Sequence, residues 1–504
     1  MPLDRPPPGM RGVITPGLPL AVALVGTLTL VRLIGLYGSR VDFFDDEAQY
    51  WAWSREPAFG YFSKPPLLAW IIAAAEKICG PSEACIRAPA PILYAVTSLL
   101  VYAIADRLYG RRVGFYSALA LLLAPGAVFS ARVISTDVPM LACWALALVA
   151  YIELVKGEGG WRWTIVLGVA LGLGLLAKYA MIYFLLGMAL AAVLEGDARR
   201  LLRTRGPVLA LVIAAVLVAP NLAWNLQHGL VTFRHTGDNI RGAGPTFNPV
   251  HALEFTAAQF GVFGPIVFAV LLAAIWRWRA PSSAQADRLL LGFALPPLAL
   301  VTASGLFGKV QANWAAPSFI AAIVLATAIL VRSGARKWLA LSLCIGLAAQ
   351  ITLLVGDRLA PDLHLPLIAN GDVYHRTLGW RELGAKTGAL ARQIGARTIV
   401  TDSRYEEASL LYYWRDQPEV ILDWASSVVP QHHFELTRPL KDDAALPILF
   451  LSGCPRPERL AVYFAKVEPV GPLQAATGPA TFRRYSAFKL EGRLRPIGPL
   501  GPCG

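Results

Sequence analysis

The stretch Ile14-Thr-Pro-Gly-Leu-Pro-Leu-Ala-Val-Ala-Leu-Val-Gly-Thr-Leu-Thr-Leu-Val-Arg-Leu-Ile-Gly-Leu-Tyr37, followed by Val41-Asp-Phe-Phe-Asp-Asp-Glu-Ala-Gln-Tyr-Trp-Ala-Trp-Ser54, decides the fold class. The first run carries a single charge, Arg32, and exceeds the roughly 20 residues that a helix needs to cross a bilayer. The second returns abruptly to acidic and aromatic side chains, as a chain does on reaching a membrane–water interface. A basic start before an apolar run also fits a cleaved signal peptide. No A-x-A-like site follows, however, so the segment reads as a retained span with Arg32 snorkelling outward.

Working outward, ten more stretches have the same character: 85–106, 113–131, 138–155, 162–178, 179–195, 206–223, 255–276, 289–307, 314–331 and 338–356. With 14–37 they predict a polytopic all-α membrane protein of about 11 spans, each near the required length. A shorter apolar run, 65–78, reads as an interfacial helix; counted with a partner it would raise the total to about 13. Composition agrees: 56% of the residues are hydrophobic and 16% charged, against roughly 45–50% and about 25% in globular proteins.

The net charge of +13 raises the question of nucleic acid. Most of the excess sits in the short links: Arg107/Arg111/Arg112, Lys156/Arg162, Arg199/Arg200/Arg203/Arg205, Arg277/Arg279/Arg288 and Arg332/Arg336/Lys337, with Arg5 and Arg11. All fall on one side of the predicted topology, which is the positive-inside pattern, so no nucleic-acid partner is needed. The N-terminus is then cytoplasmic, and the first loop (38–84) and the tail (357–504) lie outside. All seven His (228, 235, 251, 364, 375, 432 and 433) fall on that outer face. So do Cys79, Cys85, Cys454 and Cys503, enough for two disulfides of unassigned pairing. Cys143 and Cys344 lie in spans and read as core residues.

The tail has a different pattern. Helices over Trp380–Ile394, Tyr405–Trp414 and Glu458–Phe464 alternate with strand-like runs 398–401, 420–422 and 447–451, predicting a small α/β domain with a partly parallel sheet. Residues 1–356 would then form a transmembrane unit and 357–504 an extracytoplasmic domain. Neither a P-loop nor a G-x-G-x-x-G strand–helix turn is present, so a nucleotide site has no local support.

Chemistry is concentrated in the first loop. Asp45, Asp46 and Glu47 crowd together where the dielectric falls, which raises carboxyl pKa values and suits a general base. The flanking Phe43, Phe44, Tyr50, Trp51 and Trp53 fit an interfacial belt or a sugar-stacking surface. Lys64, fixed by Pro65-Pro66, is placed either to bind a phosphate or to anchor at the interface. Asp137, ahead of Pro139, begins another span on the same face; capping alone would account for it.

The order Asp46-Glu47, Tyr61-Phe-x-Lys64-Pro65 and Thr136-Asp137-x-Pro139 resembles the GT-C glycosyltransferases that use polyprenyl-phosphate sugars. These include protein O-mannosyltransferases and the bacterial enzymes that put aminoarabinose or uronic acids on lipid A. The resemblance implies Asp46 as catalytic carboxylate, Asp137 as a second acidic site residue, and Lys64 and Lys309 as cations for the donor phosphate. Glu47, Tyr61, Arg234 and His235 are implied as substrate-loop residues, with Pro220–His228 leading into that second loop. In the aminoarabinose transferases a Glu that helps hold a metal precedes the Lys; Ser63 replaces it here, so no metal site or other cofactor is assigned. Asn313, in the Lys309 motif, stands where a Tyr is common.

The implied partners are a polyprenyl-phosphate-linked sugar, an envelope acceptor (glycan, lipid or protein, with lipid A or lipopolysaccharide favoured) and membrane lipids. The implied location is a bacterial cytoplasmic membrane, with the chemistry on the periplasmic face, and the implied course is direct displacement with inversion at the sugar carbon. A protein O-glycosyltransferase is the alternative within the class. A lipid or solute transporter is the alternative outside it, but transport sites keep ionisable residues inside spans, and here the acids gather in the outer loops.

Overall fold

The computed structural model describes residues 17–158, 160–241, 247–277, 284–364 and 372–501. Among them seven helices are long and apolar enough to cross a membrane: Leu18–Gly38, Glu83–Tyr109, Asp137–Lys156, Gly160–Ala177, Arg205–Gln227, Gln285–Gly305 and Arg336–Asp362. Tyr179–Leu194, Pro265–Trp276 and Ser318–Arg332 are apolar but shorter. All eleven expected segments are thus helical, yet not all are continuous rods. The segment 113–131 divides into Arg111–Leu122 and Pro125–Ser130, and 255–276 is cut between Val262 and Pro265. In both, proline begins the new helix; having no N–H to bond back, it starts a helix more easily than it continues one.

Outward faces are apolar, as contact with lipid requires. The helix Arg205–Gln227 exposes Val208, Leu209, Val212, Val216 and Leu226. Inside, Asp137–Lys156 and Ser318–Arg332 are buried nearly all round. Close approach depends on small residues: a Cβ on Gly292 would lie 2.8 Å from the Ala191 backbone nitrogen. Arg32 does not snorkel. It is buried, with Nε donating to Gln350 Oε1 at 2.7 Å and Nη2 to the Leu122 carbonyl at 2.6 Å. The Leu122 carbonyl lies where that helix ends, so its acceptor is free for a side chain. Cys344, by contrast, is exposed on its helix and is not a core residue.

The tail holds a five-stranded sheet: β1 (Thr398–Thr401), β2 (Val420–Asp423), β3 (Ile448–Ser452), β4 (Phe464–Ala476) and β5 (Phe482–Arg493), in the order β2-β1-β3-β5-β4. β1 pairs in parallel with β2 and β3, whereas β5 pairs antiparallel with β3 and β4. Alternate side chains enter two cores. Ile399, Leu449 and Leu451 pack with Trp380, Leu383 and Leu410 on one face; Val400 and Phe450 pack with Trp424 and Phe464 on the other. The β4–β5 hairpin was not among the expected strands. Pro469, Gly471 and Pro472 interrupt its pattern, and β4 tolerates them because it is an edge strand with a register shift at that point.

The short helix Leu67–Cys79, where an interfacial helix was expected, is joined to the next by the Cys79–Cys85 disulfide. Cys454 is also disulfide-bonded, and Cys503 lies outside the described residues.

Candidate active site

The acidic triplet is not a loop. Asp45, Asp46 and Glu47 form the first turn of the helix Asp45–Arg55, where the exposed amide groups favour negative charge. The helix directs the three carboxylates to three arginines. Glu47 takes Arg87 Nε at 2.9 Å and Nη2 at 2.7 Å, and also accepts from the amides of Phe44 and Ile134. Asp45 accepts from Arg376 Nη2 at 3.1 and 2.9 Å. Asp46 accepts from Arg404 at 3.0 Å, and the same nitrogen reaches Gln49 at 3.0 Å. Side-chain exposure separates them: 41% for Asp46, 5% for Asp45 and 2% for Glu47. Of the three carboxylates, Asp46 is the accessible one. Burial, reinforced by the Asp46 charge, pushes the Asp45 carboxyl above its usual range.

Arg376 and Arg404 belong to the tail, which is therefore part of the site. The tail grips the first loop elsewhere too. Asp42 accepts from the amides of Trp380 and Arg381, capping the helix Trp380–Gln393, and Tyr413 donates to Glu83 at 2.5 Å while receiving the Phe43 amide at 2.7 Å.

A cavity of ≈ 790 Å³ lies between the bundle and the tail, lined among others by Asp46, Lys64, Asp137, Lys178, His235 and Arg404. Lys64 reaches it from a turn in which the Tyr61 amide donates to the Lys64 carbonyl. Gly60 lets that turn lie against the helix Arg205–Gln227, since a Cβ there would fall 2.4 Å from the Trp224 ring. Burial, then the neighbouring Lys178, lowers the Lys64 pKa. Across the cavity Asp137 accepts from Lys178 at 2.7 Å and from Asn313 at 2.8 Å. Its carboxylate is thus directed into a charged pair, and Thr136 makes no side-chain cap. His235 stands edge-on to Phe62 at 5.5 Å; burial and then Lys64 hold its pKa down, favouring the neutral ring.

Asp46, Lys64, Asp137 and His235 are therefore brought together. Glu47 borders the cavity, but its oxygens are engaged by Arg87 and two amides, so its place is in the scaffold. Tyr61 is also structural: its hydroxyl donates to the Trp53 carbonyl at 2.9 Å and its ring stacks on Trp53 at 4.7 Å. Lys309 and Arg234 are exposed and do not line the cavity. Gln311, Asn313 and Trp314 of the Lys309 motif do, and Lys178 supplies the second cation. Asn221 and Asn225 lie within a helix, where Asn221 binds the Phe59 carbonyl and Tyr179, so this segment positions the first loop.

Sequence reasoning missed Lys178, Arg376 and Arg404. Lys178 had a signal, as a lone charge inside the apolar run 163–194; the two arginines had none, being more than 300 residues from their partners. A metal does not fit among Asp46, Lys64 and Asp137: the two aspartates are already paired with Arg404 and Lys178, and Ser63 occupies the position of the expected ligand.

The profile of the dolichyl-phosphate-mannose-protein mannosyltransferase family matches residues 63–224. The lipid A galacturonosyltransferase RgtD of Rhizobium johnstonii is 35% identical over 429 residues, covering 84% of this chain and 89% of that protein. The undecaprenyl phosphate-alpha-4-amino-4-deoxy-L-arabinose arabinosyl transferase of Pseudomonas savastanoi pv. phaseolicola is 28% identical over 47% of this chain and 46% of its own length. In fold, the chain is similar to ArnT from Cupriavidus metallidurans bound to undecaprenyl phosphate. The TM-score is 0.64 at 17% identity, over 93% of this chain and 97% of that one. With its helical bundle, C-terminal sheet and charged cavity between them, the chain belongs to the RgtD family of membrane glycosyltransferases.

Proposed function

We propose that this protein transfers galacturonic acid from a polyprenyl-phosphate carrier to lipid A at the periplasmic face of the inner membrane. The kinship with RgtD supports this sugar and acceptor, and the carrier named for the ArnT structure supports the donor. The observation that carries the chemistry is the placement of Asp46, the one accessible carboxylate of its triplet, in the cavity that Lys64 also enters.

In this reaction an acceptor hydroxyl attacks the anomeric carbon of the sugar. Asp46 takes the hydroxyl proton as the new C–O bond forms. The bond from the anomeric carbon to the carrier phosphate breaks, and its electron pair leaves on the phosphate oxygen. Lys64 stabilises that charge, with Lys178 beside it. No nucleotide is needed, because the carrier phosphate is the leaving group. Arg404 directs the Asp46 carboxylate, donating to it at 3.0 Å. Arg376 and Arg404 also give the tail side of the cavity the cations that a uronate carboxylate needs, and bidentate guanidinium pairing suits that group.

The positive-inside pattern of the sequence supports a periplasmic location for the sheet. Purified protein in vesicles should move labelled galacturonic acid from an undecaprenyl-phosphate donor to lipid A. Transfer to protein and none to lipid A would replace the acceptor; retention of all label on the carrier would reject transfer.

A further inference from the structure

Beside the cavity, Asp423 at the end of β2, His432 and Glu435 turn their ligand atoms towards one point. One oxygen or nitrogen from each lies within 4.8 Å of the other two. His432 Nε2 is 3.6 Å from Asp423 Oδ2 and 3.7 Å from Glu435 Oε1. Those separations are too long for hydrogen bonds. They are close to the edge of a tetrahedron around a divalent ion, about 3.4 Å for metal–ligand bonds of roughly 2.0–2.2 Å.

The second observation is the state of Asp423. Its side chain is 0% exposed, and no N–H or hydroxyl donor among the described residues reaches either oxygen. The adjacent Glu407, also fully buried, can offer it one carboxylic proton, which leaves the other Asp423 oxygen unpartnered. Glu435 accepts from the Ser426 amide and hydroxyl at Oε1 and from the Gln431 amide at Oε2, which fix its orientation and leave its remaining lone pair on Oε2. His432 Nδ1 is buried without a partner as well. A buried carboxylate with no N–H or hydroxyl donor, as at Asp423, is costly unless a cation is present, and two carboxylates with an imidazole are a common ligand set for zinc.

We propose that Asp423, His432 and Glu435 bind a divalent transition-metal ion, zinc by ligand type, outside the transfer site itself. The ion joins the end of β2 to the helix His433–Thr437 and holds the Gln431–His433 segment that lines the cavity. Its role is to fix the tail side of the cavity wall.

The test uses the full chain in detergent micelles, stripped with chelator and re-exposed to Zn²⁺ alone, with bound metal measured by mass spectrometry. Wild type should retain about one zinc per chain and melt at a higher temperature with it. His432→Ala and Asp423→Asn should lose more than the 10–100-fold in affinity typical of removing a supporting partner, and their melting should no longer respond to zinc. His364→Ala, at an exposed His of the same region, is the control and should bind normally. Because His432 is partly exposed, its variant is expected to fold even if Asp423→Asn does not. Co²⁺ in place of zinc should give wild type the visible absorption of a tetrahedral site. Wild type binding no more zinc than His432→Ala, or equal binding by all variants, would overturn the proposal. Binding is read without transfer, so failure here leaves the glycosyltransferase assignment standing.

Discussion

The two walls of the cavity use the same kinds of charge differently. On the bundle side, Glu47–Arg87 and Asp137–Lys178 are buried pairs, further fixed by Ile134 and Asn313. On the tail side, Asp46–Arg404 and Asp45–Arg376 join the first loop to residues about three-quarters along the chain, and their arginines are partly exposed. Buried pairs fail badly when one member is removed, whereas half-exposed pairs are weak supports whose charges remain available to a ligand. We therefore propose that the bundle wall sets geometry and that the tail wall recognises substrate.

Breaking the scaffold pair should have the largest effect. Glu47→Gln leaves Arg87 buried without its counter-ion, and about 3–5 kcal/mol of stability should be lost; thermal unfolding in detergent measures it. An unchanged melting temperature would move Glu47 out of the scaffold. Next, Lys64→Ala should lower turnover by about 10²–10³ without unfolding, as loss of one charge-stabilising donor does. A folded variant at full rate would make Lys64 an interfacial anchor only.

The pH profile sharpens the same point. Lys64 acts as a cation, and burial with Lys178 lowers its pKa from the ordinary 10.5. Its contribution to kcat/KM should therefore be lost as pH rises, beginning below that ordinary value. Lys64→Arg should carry the decline to higher pH. The smallest effect belongs to the tail wall: Arg376→Ala should raise the KM for a galacturonyl donor several-fold with kcat nearly kept, the pattern of lost uniform binding. A fall in kcat alone would place Arg376 in the chemistry.

The bundle was legible because lipid imposes long apolar helices and because lysine and arginine mark one side. The breaks before Pro125 and Pro265 were written in the sequence too, but hydropathy averages over them. Asp46, Lys64 and Asp137 could be found because each sits at a helix boundary beside prolines or aromatics. The tail's contribution was hidden. Nothing local in Arg376 or Arg404 distinguishes them from surface arginines, and their meaning comes from docking against the first loop. Lys309 differs for the converse reason: its motif does line the cavity, but through Gln311, Asn313 and Trp314, while the lysine itself is exposed and is not among the lining residues.

The most direct measurement compares Asp46→Asn with Asp45→Asn in single-turnover transfer from a labelled undecaprenyl-phosphate sugar. The carboxylates are adjacent, but one is open to the cavity and the other is closed in a pair. Asp46→Asn should lose about 10²–10⁴ in rate, the usual contribution of a general base, while still binding the carrier; Asp45→Asn should lose far less. A folded Asp46→Asn protein that transfers sugar at the wild-type rate would contradict the assignment of this cavity as the place where the proton is taken.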